Sequence, residues 1–321
     1  MERLYRVQFK PAWWLPDGHS QTIWPDLIRK LPKLNYHPEC LELPDGDFVD
    51  LCWTGNTSGP IVAVFHGLEG CISSHYAASI MAIIHKLGWR GVFMHFRGCS
   101  GKANRLDRSY HSGDTCDIAF LLKSLKRRYP QSPLGAIGYS LGGNALLKYL
   151  GESGEDSLVE SAVAVSVPYV LQDSVSRLSQ GLSRLYQHRL IRLLHKKIQA
   201  KFNSRNEKSR IAELSSLDTL YKFDDRITAP LHGFNDAEDY YTQSSSRSFL
   251  TKIKIPALLL HSKNDPFMTP EAIPSNNELS KSVILELSEN GGHVGFVGGS
   301  KPWKPEFWLE QRIPNFLTNY F

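Results

Sequence analysis

The residues best suited to chemistry lie far apart in the chain but share one kind of neighbourhood. Gly138-Tyr139-Ser140-Leu141-Gly142 is a G-x-S-x-G pentapeptide set between an apolar run, 133–138, and a helix-like stretch, 143–150. A strand that turns sharply into a helix strains the serine backbone and lifts its hydroxyl above the sheet, while glycines leave room for neighbouring elements. The pentapeptide alone fits an ordinary glycine-rich turn; its setting makes Ser140 a candidate nucleophile.

A serine hydroxyl needs a base to take its proton, and the base needs a carboxylate to hold its tautomer and stabilise the imidazolium. The chain offers Asp265 in Ser262-Lys-Asn-Asp265-Pro266-Phe267, after an apolar run ending at His261, and His293 in Glu289-Asn-Gly-Gly-His293-Val-Gly, after a run ending at Leu287. Singly, an Asp-Pro turn and a loop histidine account for them. Jointly, each sits at the end of a strand where its role requires it, in the order serine, acid, histidine. Asp173 is a rival acid, while Asp224, Asp225, Asp236 and Asp239 read as helix caps or solvated charges.

Acyl transfer also develops an oxyanion that needs donors already aimed at it. The backbone N–H of Leu141, next to the nucleophile, is one. The loop His66-Gly67-Leu68-Glu69-Gly70 supplies the other by position, the N–H of Leu68, with His66 orienting the loop. A second glycine-rich loop, His95-Phe-Arg-Gly-Cys99-Ser100-Gly101, carries rival nucleophiles in Cys99 and Ser100 but does not run directly into a helix. Arg97 and Asp114 read as a structural pair, and His111 as a hydrogen-bonded loop histidine.

The elements that must position these groups follow from periodicity. Residues 40–43 and 48–53 flank an Asp-Gly turn and predict an antiparallel hairpin. From residue 61, short apolar runs at 61–65, 91–95, 133–139, 161–166, 255–261 and 282–287 alternate with helical stretches at about 75–87, 114–128 and to 150. This implies an α/β class with a mostly parallel twisted sheet covered by helices on both faces. A last helix is expected over about 305–320. Residues 1–38, rich in proline and tryptophan, read as an irregular arm whose rings pack on the main domain, with an aromatic lip of the substrate entrance as the rival reading. Residues 168–250 interrupt the rhythm. Leu178, Leu182, Leu185, Leu190, Leu194 and Ile198 recur at helical spacing with basic residues between them, predicting an amphipathic helical cap over the ligand crevice. The whole chain, 1–321, then forms a single domain carrying this insertion.

Composition excludes several classes. The 321 residues are 41% hydrophobic and 21% charged, as in an ordinary globular protein, and no stretch approaches the ~18 apolar residues of a membrane span. The first ten residues lack an apolar signal core, so a cytoplasmic protein is expected. Five scattered cysteines, Cys40, Cys52, Cys71, Cys99 and Cys116, suggest free thiols rather than a disulfide framework or a zinc site. No H-E-x-x-H, Walker loop or G-x-G-x-x-G appears, so neither metal, nucleotide nor flavin has a motif, and no cofactor is expected. The formal charge of +5 is regional: between Arg177 and Arg210 stand ten Lys/Arg against Glu207 alone. No nucleic-acid-binding module surrounds them. This face reads as solvated, with contact to an anionic membrane surface as the alternative. Oligomeric state is not legible.

Taken together, 66–70, 95–101, His-Ser-Gly-Asp at 111–114, Gly-Tyr-Ser-Leu-Gly-Gly-Asn at 138–144, Asp-Pro-Phe at 265–267 and Gly-Gly-His-Val-Gly-Phe at 291–296 resemble the AB hydrolase 4 family, and within it the bacterial YheT-type esterases. The resemblance extends to Trp-Trp-Leu-Pro-Asp-Gly-His-Ser-Gln-Thr in the arm and Phe-Asp-Asp at 223–225. It implies the α/β-hydrolase fold and a carboxylic-ester hydrolase with Ser140, Asp265 and His293 as charge-relay residues. Relatives in this family are associated with acylglycerol and phospholipid hydrolysis. The expected activity is hydrolysis of short- to medium-chain acyl esters through a covalent acyl-enzyme. The alternatives are a lipase, phospholipase or thioesterase for longer chains, and a non-catalytic homologue that binds an acyl ligand or a partner.

Overall fold

The short apolar runs become strands buried on both faces. The computed structural model describes residues 3–6, 9–55, 58–205 and 213–321. In chain order the elements are β1 (Leu4–Arg6), α1 (Gly18–Ile28), β2 (His37–Glu42), β3 (Phe48–Thr54), β4 (Ile61–Phe65), α2 (His75–Lys86), β5 (Arg90–Met94), α3 (Cys116–Arg128), β6 (Leu134–Tyr139), α4 (Leu141–Ser153) and β7 (Ser161–Val165). They continue with α5 (Leu171–Leu178), α6 (Arg184–Ser204), α7 (Leu220–Phe223), α8 (Ala229–His232), α9 (Ala237–Ser244), β8 (Ala257–Ser262), β9 (Val283–Ser288), β10 (Val297–Lys301), β11 (Lys304–Phe307) and α10 (Leu309–Leu317).

Among the described residues nine strands form one sheet in the order β1-β9-β8-β7-β6-β4-β5-β3-β2. All neighbours from β1 to β5 are parallel, and the β2–β3 hairpin adds antiparallel to β5. Every residue of β4, β5, β6, β7 and β8 is buried, the signature of strands with helices on both sides. Alternation along β4 divides the core. Ile61, Ala63 and Phe65 join a cluster with Leu121 and Leu146 from α3 and α4, while Val62 and Val64 join Ile80 and Ile84 of α2 and Ile313 of α10. The mostly parallel sheet, the hairpin and the covering helices are those read from periodicity. Among the described residues no helix is long and apolar enough to cross a membrane.

Several expectations are corrected. The arm is not irregular: β1 pairs with β9 at the sheet edge, and α1 is a regular helix. Its start is fixed locally, since Asp17 accepts hydrogen bonds from the amides of His19 and Ser20, both at 2.9 Å, so a cap supplies what apolar periodicity does not. Of its tryptophans, Trp13 is 72% exposed rather than packed. The C-terminal helix begins only at Leu309, because 304–307 pairs with 297–301 as a hairpin.

In the segment between β7 and β8 the expected stripe breaks at Leu182 and Leu185, which are exposed. A 3₁₀ turn at Gly181–Ser183 resets the register before α6. The buried stripe is then Ile191, Leu194, Ile198 and Phe202, packed with Leu178 of α5.

The basic residues of that segment are not uniformly solvated either. Lys201 Nζ donates to Asn104 Oδ1 and to the carbonyls of Asp107 and Arg108 at 2.8–2.9 Å. Lys197 pairs with Glu69, and Arg205 with Asp107. Glu207, Lys208 and Arg210 of the basic stretch lie outside the described residues, as do parts of the arm at 1–2 and 7–8.

Candidate active site

Ser140 stands at the hinge between β6 and α4 with φ 50° and ψ −119°, a conformation L-residues seldom adopt and one that costs of order 1–3 kcal/mol. The surroundings make it obligatory. A Cβ on Gly138 would lie 2.6 Å from Gly142 O, and one on Gly142 would lie 2.4 Å from His66 O, so the elbow closes only on glycine. Ser140 N donates to Val165 O at 2.8 Å and Asn144 N to Ser140 O at 3.0 Å, tying the turn to β7 and to the first turn of α4.

Asp265 and His293 meet beyond the ends of β8 and β9. His293 Nδ1 lies 2.8 Å from Asp265 Oδ2, and both side chains are buried. The other carboxylate oxygen accepts from Phe267 N at 2.8 Å. With Nδ1–H donating to Asp265, Nε2 is left to act as a proton acceptor. The rings of Phe267 and His293 stack 3.9 Å apart, 3° from parallel. The loop of His293 is bent by Gly292 at φ 61° and Val294 at φ 60°. Val294 N donates to Ser166 Oγ, and Ser262 Oγ donates to Gly292 O.

The loop after β4 approaches the elbow, and a Cβ on Gly67 would lie 3.2 Å from Ser140 Cβ. The amides on either side of Leu68 are taken up by the protein: Gly67 N donates to Tyr76 Oη at 3.0 Å and Glu69 N to Tyr110 Oη at 2.8 Å. His66 receives Phe96 N–H on Nε2 at 3.0 Å, so Nδ1 carries the proton and donates to Gly67 O at 2.6 Å. Complete burial holds its pKa at about 3, and the ring stays neutral while it braces the loop.

Ser140, Leu141, Leu68 and His293 all line one cavity of about 310 Å³, and Asp265 lies behind His293. Its walls come from the segment between β7 and β8, with Leu178, Leu194 and Ile198, and from α1, with Thr22, Ile23 and Leu27. The rival residues fall elsewhere. Asp173 opens α5, and burial pushes the Cys99 thiol up to about 12, leaving it protonated at neutral pH. Asp236 caps α9 as expected. Asp224 is a correction: it is half-buried, bonded to Thr228 and Tyr241, and desolvation lifts its carboxyl to about 6. Arg97 pairs with Asp117, Asp45 and Asp47, while Asp114 pairs with Arg108. Their expected mutual pairing is therefore wrong.

Sequence reasoning missed two positioning residues in α1. Thr22 Oγ1 accepts the His293 amide at 2.9 Å. Gln21 donates to Leu15 O and Val297 O and accepts from Val297 N, locking the chain just past His293. Asp17 and Ser20, spaced as a helix cap, were the available signal.

This arrangement agrees with what the chain is similar to. The family described as alpha/beta hydrolase fold matches residues 60–300. The esterase-named protein YheT of Escherichia coli (strain K12) is 44% identical over 320 residues, spanning 98% of this chain and 94% of that one. Phospholipase ABHD3 of Mus musculus is 27% identical over 92% of this chain and 74% of its own length. Among solved structures, the Pyrococcus furiosus esterase Pf2001 superposes with a TM-score of 0.60 at 19% identity, covering 100% of this chain and 98% of that one, a likeness of fold. With its elbow, its crossover sheet and this near full-length match, the chain belongs to the α/β-hydrolase family and to its YheT-type branch.

Proposed function

We propose that the chain is a cofactor-independent serine carboxylic-ester hydrolase with Ser140 as nucleophile, His293 as general base and acid, and Asp265 as its orienting carboxylate. The observation that carries this reading is the His293–Asp265 pair, buried beside a cavity that Ser140 enters from a strained elbow. Ser140 Oγ attacks the ester carbonyl and its proton passes to His293 Nε2. The amides of Leu68 and Leu141 receive the negative charge that develops on the carbonyl oxygen. His293 then protonates the departing alcohol, leaving an acyl-Ser140 ester. Water, deprotonated by His293, attacks that ester and releases the acid.

A cavity of about 310 Å³ at the nucleophile suits a short- to medium-chain acyl group. The segment 168–250 then works as a cap that sets its volume. A second reading, longer acyl chains as in acylglycerols or phospholipids, is favoured by the leucine-rich wall of α5 and α6 and by the name of the phospholipase relative.

The test is labelling with a fluorophosphonate probe and mapping of the modified peptide, with Ser140→Ala and His293→Ala beside the parent. Labelling confined to Ser140 and dependent on His293 is expected, followed by turnover of p-nitrophenyl esters graded by chain length. Labelling elsewhere, or turnover surviving Ser140→Ala, overturns the reading. Folded protein that binds acyl ligands without labelling or turnover points to the non-catalytic homologue.

A further inference from the structure

The rim of the cavity is built from two helices distant in sequence. Ile23 and Leu27 of α1 and Arg189 and Leu193 of α6 line it from solvent-exposed positions. The helices are tied by His19 Nδ1 to Tyr186 Oη at 3.0 Å and by the Arg189–Asp26 pair. On these two helices and the turn before α6, large apolar side chains stand in solvent. Leu27 is 70% exposed and Ile28 after it 60%, and Leu182 and Leu185, in the turn before α6 and at its start, are 66% and 68% exposed. Exposed branched apolar side chains concentrated on the two helices that line a pocket mark a binding surface rather than scattered surface leucines.

Charge says what would cover it. α6 contains no Asp or Glu, and its exposed positions include Arg184, Arg189, Arg192 and Lys196. Over 18–36 the only acid is Asp26, already paired with Arg189, whereas Lys30 and Lys33 are exposed. A second copy laid isologously on this face would set bases against bases. Leucines interleaved with Lys/Arg along one exposed helix face are the pattern of helices that lie in an anionic membrane interface.

We propose that the rim formed by α1 and α6 docks on an anionic phospholipid surface, with the cavity mouth turned toward the lipid. Leu182 and Leu185 enter the acyl boundary, and Arg184, Arg192 and Lys196 meet lipid phosphates. An apolar ester then reaches Ser140 without crossing water. The docking surface is independent of the hydrolase reading, because it needs no turnover.

The test is flotation of the full chain with phosphatidylcholine vesicles, with and without phosphatidylglycerol, at low and high salt. Binding is expected only with phosphatidylglycerol and is weakened by salt. Leu185→Glu, and separately Arg192→Glu with Lys196→Glu, lower the partition coefficient by about tenfold or more. Neither variant touches the cavity wall, so hydrolysis of a water-soluble ester stays at the parent rate, and Ser140→Ala floats like the parent. Absence of binding to phosphatidylglycerol vesicles overturns the proposal, as does equal binding of the variants. A concentration-dependent dimer that Leu185→Glu dissolves, with no flotation, assigns the face to a second copy instead.

Discussion

Phe267 lies flat on His293, ring centroids 3.9 Å apart, two residues from the carboxylate that binds the same imidazole. The Phe267 amide donates to Asp265 Oδ1 and its ring covers the face of His293, so one short loop fixes both the height and the tilt of the imidazole. Tyr186 of α6 packs on the Phe267 ring at 4.9 Å, tilted by 43°, which carries the order of the helical segment into the site. A ring over an imidazolium contributes ~0.5–2 kcal/mol, and free tilting costs more in lost alignment. Phe267→Leu is therefore expected to lower kcat about 10- to 100-fold with little change in KM, and Phe267→Tyr to keep most activity. Steady-state kinetics on a soluble ester, beside circular dichroism, checks this. An unchanged kcat in Phe267→Leu would remove the stack from the positioning machinery.

Thr22 holds the backbone of His293 from the other side. Its hydroxyl donates to Gly18 O at 2.6 Å and accepts the His293 amide at 2.9 Å. Thr22→Val keeps the shape but strands that N–H, at a cost of ~1–3 kcal/mol. Global stability is expected to fall by that amount and kcat by about tenfold or more, whereas Thr22→Ser retains both. Urea unfolding and kinetics on the two variants decide it, and equal loss in the serine variant would show that the methyl, not the hydroxyl, matters.

The sequence made parts of this architecture legible for specific reasons. β4 to β8 are buried on both faces, so their apolar runs are continuous and bounded, and the elbow is announced by Gly138 and Gly142, which no other residue can replace. Asp265 is legible because it follows such a run, β8, and His293 because it follows the alternating strand β9. The contribution of α1 was hidden: its helix is set by the Asp17 cap and buries Gln21 and Pro25 rather than an apolar stripe. The register of α6 was hidden by a single turn at 181–183 that moved Leu182 and Leu185 to the surface. The partners of Arg97 were unreadable because Asp45 and Asp47 come from a hairpin about fifty residues away, brought close only by the pairing of β3 with β5.

Buried and half-buried histidines make stability depend on acid. Burial holds His66 at about 3, His75 at about 4, His111 at about 2 and His261 at about 4. The unfolded chain takes up protons at these positions below ~6.5 while the folded one does not, so each removes about 1.4 kcal/mol of stability per pH unit as pH falls. Asp224 acts oppositely, since its folded carboxyl, raised to about 6, binds a proton before the unfolded one does. Burial also lowers His95 and His232 and raises Asp117, so the histidines outnumber the raised carboxyls and the net is a steep loss. The thermal midpoint is expected to be flat above pH 7 and to drop sharply between pH 6 and 4.5 in differential scanning fluorimetry. A midpoint constant down to pH 4.5 would mean that these rings are charged, and solvated, in the folded protein.

Lys197 and Glu69 join α6 to the loop that carries Leu68. Their side chains are only 13% and 9% exposed. The ammonium also lies 3.6 Å from Cys99 Sγ and 4.3 Å from the centre of the Tyr110 ring, while Glu69 holds a left-handed φ of 53°. Removing one partner leaves the other charge buried, which costs about 3–5 kcal/mol, whereas removing both together costs far less. Lys197→Met and Glu69→Gln are each expected to destabilise the protein by that order and to lower kcat more than they raise KM, because the Leu68 amide sits next to the freed residue. The double variant should recover a large part of both losses, a coupling of more than ~1 kcal/mol in a double-mutant cycle. Additive losses would mean that the two charges are solvated separately, and that α6 and the loop of Leu68 move independently.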